Sequence, residues 1–252
     1  MYSKDHVALV TGAATGIGRA TAEAFARAGC RVVLADRDAE RGQQVAREMA
    51  SIGVKTLFVA ADVSDPEQVT NLHQRIIDTF GRLDAACNNA GIEGDLAPTA
   101  ETSLENFDRV IAVNLRGVFL CMQAQIRIMA KQPHGGAIVN MASVAGVVGF
   151  AGLPAYCASK GGVVQLTRTA ALEYAEVPVR INAVCPGAIK TEMIDRVTGQ
   201  DPATETQFAA LHPMNRMGTA REVADAVVWL CSDQASFVTG QLLPVDGGMV
   251  AR

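Results

Sequence analysis

Short apolar runs alternate along the chain with longer segments whose apolar residues recur at helical spacing. The runs cover residues 7–10, 31–35, 55–60, 83–87, 137–141, 180–184 and 241–245. Several are β-branched and apolar on both faces, which is typical of parallel strands covered by helices on each side. The helical patterns cover residues 18–28, 38–52, 66–80, 104–130, 155–175 and 221–232. This alternation predicts an α/β fold, a doubly wound parallel sheet of about seven strands with helices on both faces.

Local signals mark several boundaries but no division into domains. Gly29 is a suitable residue just beyond the first helix, and Ser64 or Asp65 can cap the third, with Pro66 in its first turn. Residues 187–218 form the least regular stretch, which we expect to be a functional or mobile loop. We therefore expect one domain over residues 1–252 that both binds the cofactor and carries the catalytic residues.

Composition and charge narrow the function classes. The net charge is −4 without a basic cluster, so nucleic acid is not an expected partner. No eighteen-residue apolar run and no signal-peptide core occur, so we expect a cytoplasmic protein without a membrane partner. Six irregularly spaced cysteines, mostly in apolar segments, indicate free buried thiols in a reducing compartment. The four histidines are scattered without zinc spacing, so no metal is expected.

A glycine-rich turn follows the first predicted strand directly. It reads T-G-A-A-T-G-I-G, with Gly12 after the strand and Gly18 opening the first helix. Glycines let the backbone approach a phosphate closely, and a helix N-terminus supplies free N–H groups to an anion. The spacing differs from the general G-x-G-x-x-G fingerprint. The turn predicts a dinucleotide pyrophosphate at Thr15, Gly16 and Ile17, and a plain strand–helix turn is the alternative.

Asp36 ends the second strand, eighteen residues after Gly18. A carboxylate there can accept hydrogen bonds from both adenosine ribose hydroxyls, and it would repel a 2′-phosphate. The neighbouring Arg37 could hold that phosphate, so NADP stays open while NAD is favoured. A solvated loop charge is the alternative for Asp36.

Polar residues also follow the third and fourth strands. Asp62, followed by Val63, could reach the adenine amino group or could serve as a cap or turn residue. The sequence N-N-A-G, from Asn88 through Asn89 and Ala90 to Gly91, has small and amide-bearing residues that would let a cofactor lie close. A plain turn is again the alternative.

Tyr156 and Lys160 lie four residues apart in a predicted helix and therefore share one face. An ammonium beside a phenol favours the phenolate, so we expect Lys160 to lower the Tyr156 pKa from about 10. The phenol would then serve as a general acid or base nearer neutral pH. Alone, the Y-x-x-x-K spacing is more often a surface pair.

Two further residues change that interpretation. Ser143 ends the fifth strand, at the same sheet edge as the residues above, where its hydroxyl could hold a substrate oxygen. Asn114 interrupts an apolar helical run, and a buried amide needs hydrogen-bond partners. It has either a structural role or a role in a proton path through water to Lys160.

In the combination and order of these motifs, the sequence resembles the short-chain dehydrogenase/reductase family over nearly its whole length. The motifs are T-G-x-x-x-G-I-G at residues 11–18, N-N-A-G at 88–91, Asn114, Ser143, Y-x-x-x-K at 156–160 and P-G at 186–187. The resemblance implies a Rossmann-type domain, a nicotinamide cofactor and the activity of a dehydrogenase or reductase acting on CH–OH groups (EC 1.1.1.-).

The resemblance also implies residue roles. Tyr156 would be the acid/base, and Lys160 would hold the nicotinamide ribose. Ser143 would orient the substrate oxygen, and Asn114 would complete a proton relay. Tyr156 and the P-G motif itself, Pro186 and Gly187, are implied to contact the cofactor. Ile189 and Thr191, after that motif, are implied near the nicotinamide carboxamide. A homotetramer is implied as well.

The expected function is hydride transfer between a secondary alcohol or ketone and NAD. The expected pocket, formed by residues 143–153, the segment after Gly91 and residues 187–218, is largely apolar. Glu93, Arg196 and Arg216 could touch polar substrate groups or be solvated surface charges. The alternatives are a 3-oxoacyl thioester reductase and a non-catalytic NAD sensor. An epimerase or dehydratase of the extended relatives would need more length.

Overall fold

We describe a computed structural model of the chain, covering residues 2–251. Its strands are β1 (Val7–Thr11), β2 (Arg31–Asp36), β3 (Thr56–Ala60), β4 (Ala85–Asn88), β5 (Gly136–Met141), β6 (Val179–Pro186), β7 (Ile189–Lys190), β8 (Gly218–Thr219) and β9 (Leu242–Val245). Seven form one sheet in the order β3-β2-β1-β4-β5-β6-β9, and β7 pairs separately with β8. All pairings are parallel. The predicted seven-stranded parallel sheet is confirmed.

Helices cover both faces of this sheet. They are α1 (Gly16–Arg27), α2 (Ala39–Ser51), α3 (Pro66–Phe80), α4 (Leu104–Ile111), α5 (Gly117–Met129), α6 (Pro154–Glu173), α7 (Glu192–Thr198), α8 (Pro202–Ala210) and α9 (Ala220–Cys231). Asp65 caps α3 by accepting hydrogen bonds from the amides of Glu67 and Gln68, and Pro66 begins the helix. Gly29, at φ +94°, follows α1 as predicted.

The period-two alternation of strand side chains builds a separate core on each face. In β1, Ala8 and Val10 belong to a cluster formed with α1, α2 and α9, which includes Phe25. Val7 and Leu9 belong to the opposite cluster, formed with α3, α5 and α6. Both faces of the strand are therefore buried, which explains why the strands read as continuous apolar runs.

The strand order reverses beside β1, because β2 pairs on one side of it and β4 on the other. The chain leaves β1 and β4 in opposite directions at their carboxyl ends, which opens a crevice there. In open α/β sheets such a switch point is where ligands bind. The glycine-rich turn after β1 and the N-N-A-G segment at the end of β4 lie side by side at this edge, because Asn89 Nδ2 donates to the carbonyl oxygens of Thr11 and Gly12 at 3.0 and 3.2 Å.

A buried amide network supports this edge. The Asn88 side chain donates to Gln125 Oε1 and to Asn140 Oδ1, each at 2.9 Å, and accepts from Gln125 Nε2 at 2.7 Å. Asn140 in turn donates to the Thr167 hydroxyl at 3.0 Å. Because an unpaired buried amide is costly, this network fixes β4 and β5 relative to α5 and α6.

The structure corrects two expectations. The single helix expected over residues 104–130 is interrupted by a π-helical turn, Ala112–Arg116, centred on Asn114. The stretch 187–218, expected to be a loop, contains α7 and α8. Asp201 caps α8 by accepting a hydrogen bond from the Thr204 amide, and Pro202 follows it, a start signal that the sequence displays.

Candidate active site

A cleft of about 310 Å³ opens at the switch point, between the carboxyl ends of the strands and α7. Its lining includes twelve of the residues predicted to bind a dinucleotide: Gly12, Thr15, Gly16, Ile17, Asp36, Arg37, Asp62, Val63, Asn89, Ala90, Gly91 and Thr191. These residues come from turns that are far apart in sequence. The parallel sheet brings them together because it places every strand's carboxyl end at one edge.

The N-terminus of α1 faces this cleft without a side-chain cap. Thr15 is the cap residue, and its side chain makes no capping hydrogen bond. The first N–H groups of a helix lack intrahelical partners and carry a partial positive charge. Uncapped N–H groups lined with glycine fit the pyrophosphate of a dinucleotide.

Two of the four carboxylates that line the cleft, Asp36 and Asp62, are held by local hydrogen bonds. Asp36 accepts from the amide of Ala14 at 2.9 Å and from that of Asp38 at 3.0 Å, so its carboxylate is fixed beside the glycine-rich turn. Asp62 accepts from the amide and the hydroxyl of Ser64, at 2.9 and 2.7 Å. Asp62 therefore serves as a turn residue that also borders the cleft. Its contact with the adenine amino group stays a prediction.

Six residues expected at the cofactor lie outside the lining of this cleft: Gly18, Tyr156, Lys160, Pro186, Gly187 and Ile189. A Cβ on Gly18 would lie 1.9 Å from the carbonyl oxygen of Gly12, so this glycine packs the helix against the turn. Ile189 is buried in the core cluster. A Cβ on Gly187 would meet His212 Nε2 at 2.6 Å. The contribution of these residues to cofactor binding stays a prediction.

Sequence reasoning did not identify several lining residues: Ala14, Asp38, Arg41, Ala61, Ile92, Val113, Glu192 and Met193. Most are next to predicted residues along the chain, and adjacency was the available signal. Arg41 had no such signal. It forms an ion pair of 2.9 Å with Glu192, 151 positions later, which links α2 to α7 over the cleft.

The four candidate catalytic residues come together beside the cleft. The half-buried Tyr156 has its hydroxyl beside the Ser143 side chain, which acts to lower the Tyr156 pKa. Lys160 is only 3% exposed, and its Nζ lies 5.6 Å from the Tyr156 ring centre. A Cβ on Gly91 would lie 3.5 Å from that Nζ and 3.3 Å from Asn114 Oδ1. The ammonium therefore lies between the phenol and the cofactor side of the site.

The Asn114 side chain has a clear structural role. It accepts from the Ile92 amide and donates to the Ile92 carbonyl, both at 2.8 Å. It also donates to the Ser159 hydroxyl at 3.2 Å, which in turn donates to the Tyr156 carbonyl at 2.7 Å. The π turn thus ties the segment after Gly91 to the helix that carries Tyr156. π-helical turns often occur at functional sites.

The prediction that Lys160 lowers the pKa of Tyr156 is wrong for the protein without a bound cofactor. Burial raises the pKa of Tyr156 to about 12, and its hydrogen bond with Ser143 lowers it only in part. Burial also lowers the pKa of Lys160 to about 8. The Lys160 Nζ donates to the Met141 carbonyl at 2.8 Å rather than to the phenol oxygen. Sequence spacing alone could not reveal how strongly both groups are desolvated.

The buried Lys160 makes stability depend on pH. Its pKa falls from 10.5 to about 8 on folding, so the charged form destabilises the native state at neutral pH by roughly 3 kcal/mol. Stability is regained as pH rises from about 8 to 10.5. We expect Lys160→Met to raise the free energy of unfolding, measured with urea, at pH 7. The difference from wild type should shrink as the pH rises from about 8 to 10.5.

The exposed Lys131 provides the control, since Lys131→Met removes the same charge from a solvated position. The difference in free energy of unfolding between this variant and wild type should stay constant over pH 8–10.5. If both variants have the same pH dependence relative to wild type, the assigned effect of burial on Lys160 is wrong.

Among residues 2–251, no cluster of three or more potential metal ligands is found. In the same range, no helix is long and apolar enough to cross a membrane. All six cysteines are free, and five of them are buried, which confirms the predicted thiol state.

Comparisons with known proteins agree with this site. The family model described as enoyl-(acyl carrier protein) reductase, adh_short_C2, matches residues 12–250. Cyclohexanol dehydrogenase of Acinetobacter sp. (strain SE19) is 43% identical, with 98% of this chain and 95% of that protein covered. Cis-4-hydroxycyclohexanecarboxylate dehydrogenase of Sinomonas cyclohexanicum is also 43% identical, with 98% and 97% covered.

Comparison with solved structures agrees with the sequence comparisons. The crystal structure of levodione reductase superimposes with a TM-score of 0.93 at 41% identity, covering 98% of each chain. The family model and these relatives span nearly the whole chain, including every motif that lines or borders the cleft. The chain therefore belongs to the short-chain dehydrogenase/reductase family of nicotinamide-dinucleotide-dependent oxidoreductases.

Proposed function

We propose that this protein interconverts a secondary alcohol and a ketone by hydride transfer, with Tyr156 as the acid/base. The observation that carries the proposal is the placement of the Tyr156 phenol beside Ser143 and the buried Lys160, next to the cleft that fits a dinucleotide. A phenol and a hydroxyl that meet in this way can both bind one substrate oxygen.

Each residue has a distinct part in this chemistry. Bound oxidised nicotinamide supplies the hydride acceptor and a positive charge that favours a phenolate nearby. Tyr156 takes the alcohol proton during oxidation and returns it during reduction. Ser143 orients the substrate oxygen. Lys160 holds the nicotinamide ribose and stabilises negative charge on the phenol, while Asn114 fixes the segment after Gly91 and leads the proton path toward Lys160.

The substrate side of the site supports an alcohol with an apolar body. The backbone amide of Ala97 donates to the Gly152 carbonyl at 3.0 Å, which joins the segment after Gly91 to the segment after Ser143. Exposed apolar side chains lie along these two segments: Leu96 is 77% exposed and Val147 48%. The relatives named for cyclic alcohols support the same substrate class. We therefore propose a cyclic or similarly apolar secondary alcohol.

We infer that NAD is preferred over NADP, because the Asp36 carboxylate is fixed at the cleft, where it would repel a 2′-phosphate; Arg37, which also borders the cleft, is the residue that would favour NADP. We expect Asp36→Asn to lower the NAD-to-NADP ratio of kcat/KM by about tenfold or more, since it removes the charge that would repel a 2′-phosphate. Steady-state rates with each cofactor measure this ratio.

Asp38→Asn is the matched control. It removes the same charge two residues away, and asparagine can still cap α2 as Asp38 does. The control should shift the ratio much less. A wild-type protein that already prefers NADP would refute the inference about Asp36.

The proposed function is tested by a panel of alcohols and ketones with each cofactor, followed at the absorbance of the reduced nicotinamide. Turnover of cyclic secondary alcohols supports the proposal. Turnover of 3-oxoacyl thioesters alone would favour the thioester reductase instead. NADH binding without turnover of any compound would favour a sensor.

We also propose a homotetramer, supported by exposed apolar side chains on α4, α5 and α6: Leu104, Phe107, Phe119 and Leu172. Sedimentation equilibrium tests it, and a monomer at micromolar concentration would contradict it. The free thiols support a cytoplasmic location.

A further inference from the structure

We propose that Glu93 and Arg196 form a charge gate that makes the site select uncharged substrates over substrates carrying a carboxylate. The proposal rests on the proposed function and refines its substrate class. Neither residue belongs to the four candidate catalytic residues, and sequence reasoning left both as surface charges or contacts to polar substrate groups.

The two side chains meet across the mouth of the site. Glu93 follows the N-N-A-G segment, and Arg196 lies on α7, 103 positions later. Arg196 Nε donates to Glu93 Oε1 at 2.9 Å, and Nη2 donates to Oε2 at 3.4 Å. The Glu93 side chain is 25% exposed and that of Arg196 59%. A contact this distant in sequence can persist only while α7 lies over the site.

The Glu93 carboxylate acts on the reacting group. Its negative charge contributes to raising the pKa of Tyr156, after the larger effect of burial. Glu93 is also held in place, because the backbone of its neighbour Ile92 is hydrogen-bonded on both sides by Asn114. A substrate that places its oxygen at Tyr156 therefore lies within the field of a fixed negative charge.

Arg196 does not offer a free positive charge to a substrate. Its pKa is raised chiefly by the hydrogen bond with Glu93, and Glu192 raises it further. Glu192 in turn pairs with Arg41 at 2.9 Å. The four side chains form a row of alternating charge from α2 over the cleft to Glu93, with no net charge. A substrate carboxylate would meet Glu93 and compete with it for Arg196, whereas an uncharged group meets no such opposition.

Glu93→Gln tests this gate, because glutamine keeps a hydrogen-bond acceptor for Arg196 and removes the opposing charge. The probes are cis-4-hydroxycyclohexanecarboxylate and the matching carboxamide, which differ mainly in charge. Their dissociation constants are measured on the protein–NADH complex by nicotinamide fluorescence. We expect Glu93→Gln to improve carboxylate binding relative to carboxamide binding by about tenfold, the size expected for one unscreened charge at a partly exposed site.

Two further variants separate local charge from other effects. Glu192→Gln removes the same charge from the middle of the row, between Arg41 and Arg196, and should leave the ratio within about twofold of wild type, since Glu93 and not Glu192 acts on Tyr156. The double variant Glu93→Gln/Arg196→Met should lose the improvement in carboxylate binding relative to carboxamide binding, because it lacks the cation that would attract the carboxylate.

An unchanged ratio in Glu93→Gln, or an equal change in Glu192→Gln, would overturn the gate. Improved carboxylate binding, relative to carboxamide, that persists in the double variant would also overturn the gate. The measurement uses binding, so it is independent of turnover. Failure of the proposed function would appear separately, as a wild-type protein that binds NADH and oxidises no alcohol in the panel.

Discussion

Replacing Tyr156 with phenylalanine should lower kcat for alcohol oxidation by about 10³-fold while leaving NADH affinity within about twofold of wild type. General acid–base catalysis by a positioned side chain contributes 10²–10⁴-fold. Phenylalanine keeps the ring that packs beside Lys160 and removes only the hydroxyl beside Ser143. Initial rates and fluorescence titration with NADH measure the two effects.

The pH dependence gives a second readout. With the pKa of Tyr156 raised to about 12 in the protein alone, the base form is scarce at neutral pH, so oxidation by wild type should accelerate as pH rises. The rate of the Tyr156→Phe variant should not increase with pH in this way. Tyr174→Phe, at the other end of the same helix, is the control and should retain wild-type rates. Undiminished turnover by Tyr156→Phe would end the acid/base assignment.

Replacing Gly18 with alanine should weaken NADH binding by about a hundredfold and destabilise the fold by about 1–3 kcal/mol. The added Cβ would lie 1.9 Å from the Gly12 carbonyl oxygen and 2.5 Å from Asn89 Nδ2. Backbone cannot yield as a flexible side chain can, so the glycine-rich turn must move. Because Gly12 borders the cleft, its movement also disturbs the cofactor site.

Gly161→Ala is the matched control, since Gly161 also lies in a helix and follows Lys160 directly. A Cβ there meets only the Gly146 carbonyl oxygen, at 3.9 Å. Alanine favours the helix over glycine by about 1 kcal/mol, so this variant should be as stable as wild type or more so. Thermal unfolding and NADH titration compare the two. Equal behaviour of both alanine variants would show that the Gly18 contact is not restrictive.

Much of the architecture follows from sequence pattern alone. The apolar runs predicted all seven sheet strands. The five inner strands are buried on both faces and are therefore apolar almost throughout, whereas the edge strands β3 and β9 are only partly buried. The helix boundaries followed from local chemistry, as at Asp65 and Pro66. The stretch 187–218 was missed because α7 and α8 are short and lie at the surface, where few apolar residues repeat at helical spacing.

The site was predicted as a set of residues but not as a geometry. The order of polar residues after the strands placed Gly12, Asp36 and Asn89 at one edge, since parallel strands share a direction. The π turn at Asn114 and its bonds to Ile92 could not be predicted, because they depend on how two segments pack. The ion pair of Glu93 with Arg196 joins positions that sequence spacing does not relate.

The sequence by itself therefore determined the layered fold, the sheet edge that carries the cleft and the Tyr156–Lys160 pair for which we propose the proton chemistry. Those properties depend on local periodicity and on residue type, which a linear pattern records. Only the tertiary structure decided the electrostatics of the pair, because desolvation and distant charges depend on what surrounds a group in space. Burial raises the pKa of Tyr156 and lowers that of Lys160, and α7 brings Arg196 to Glu93.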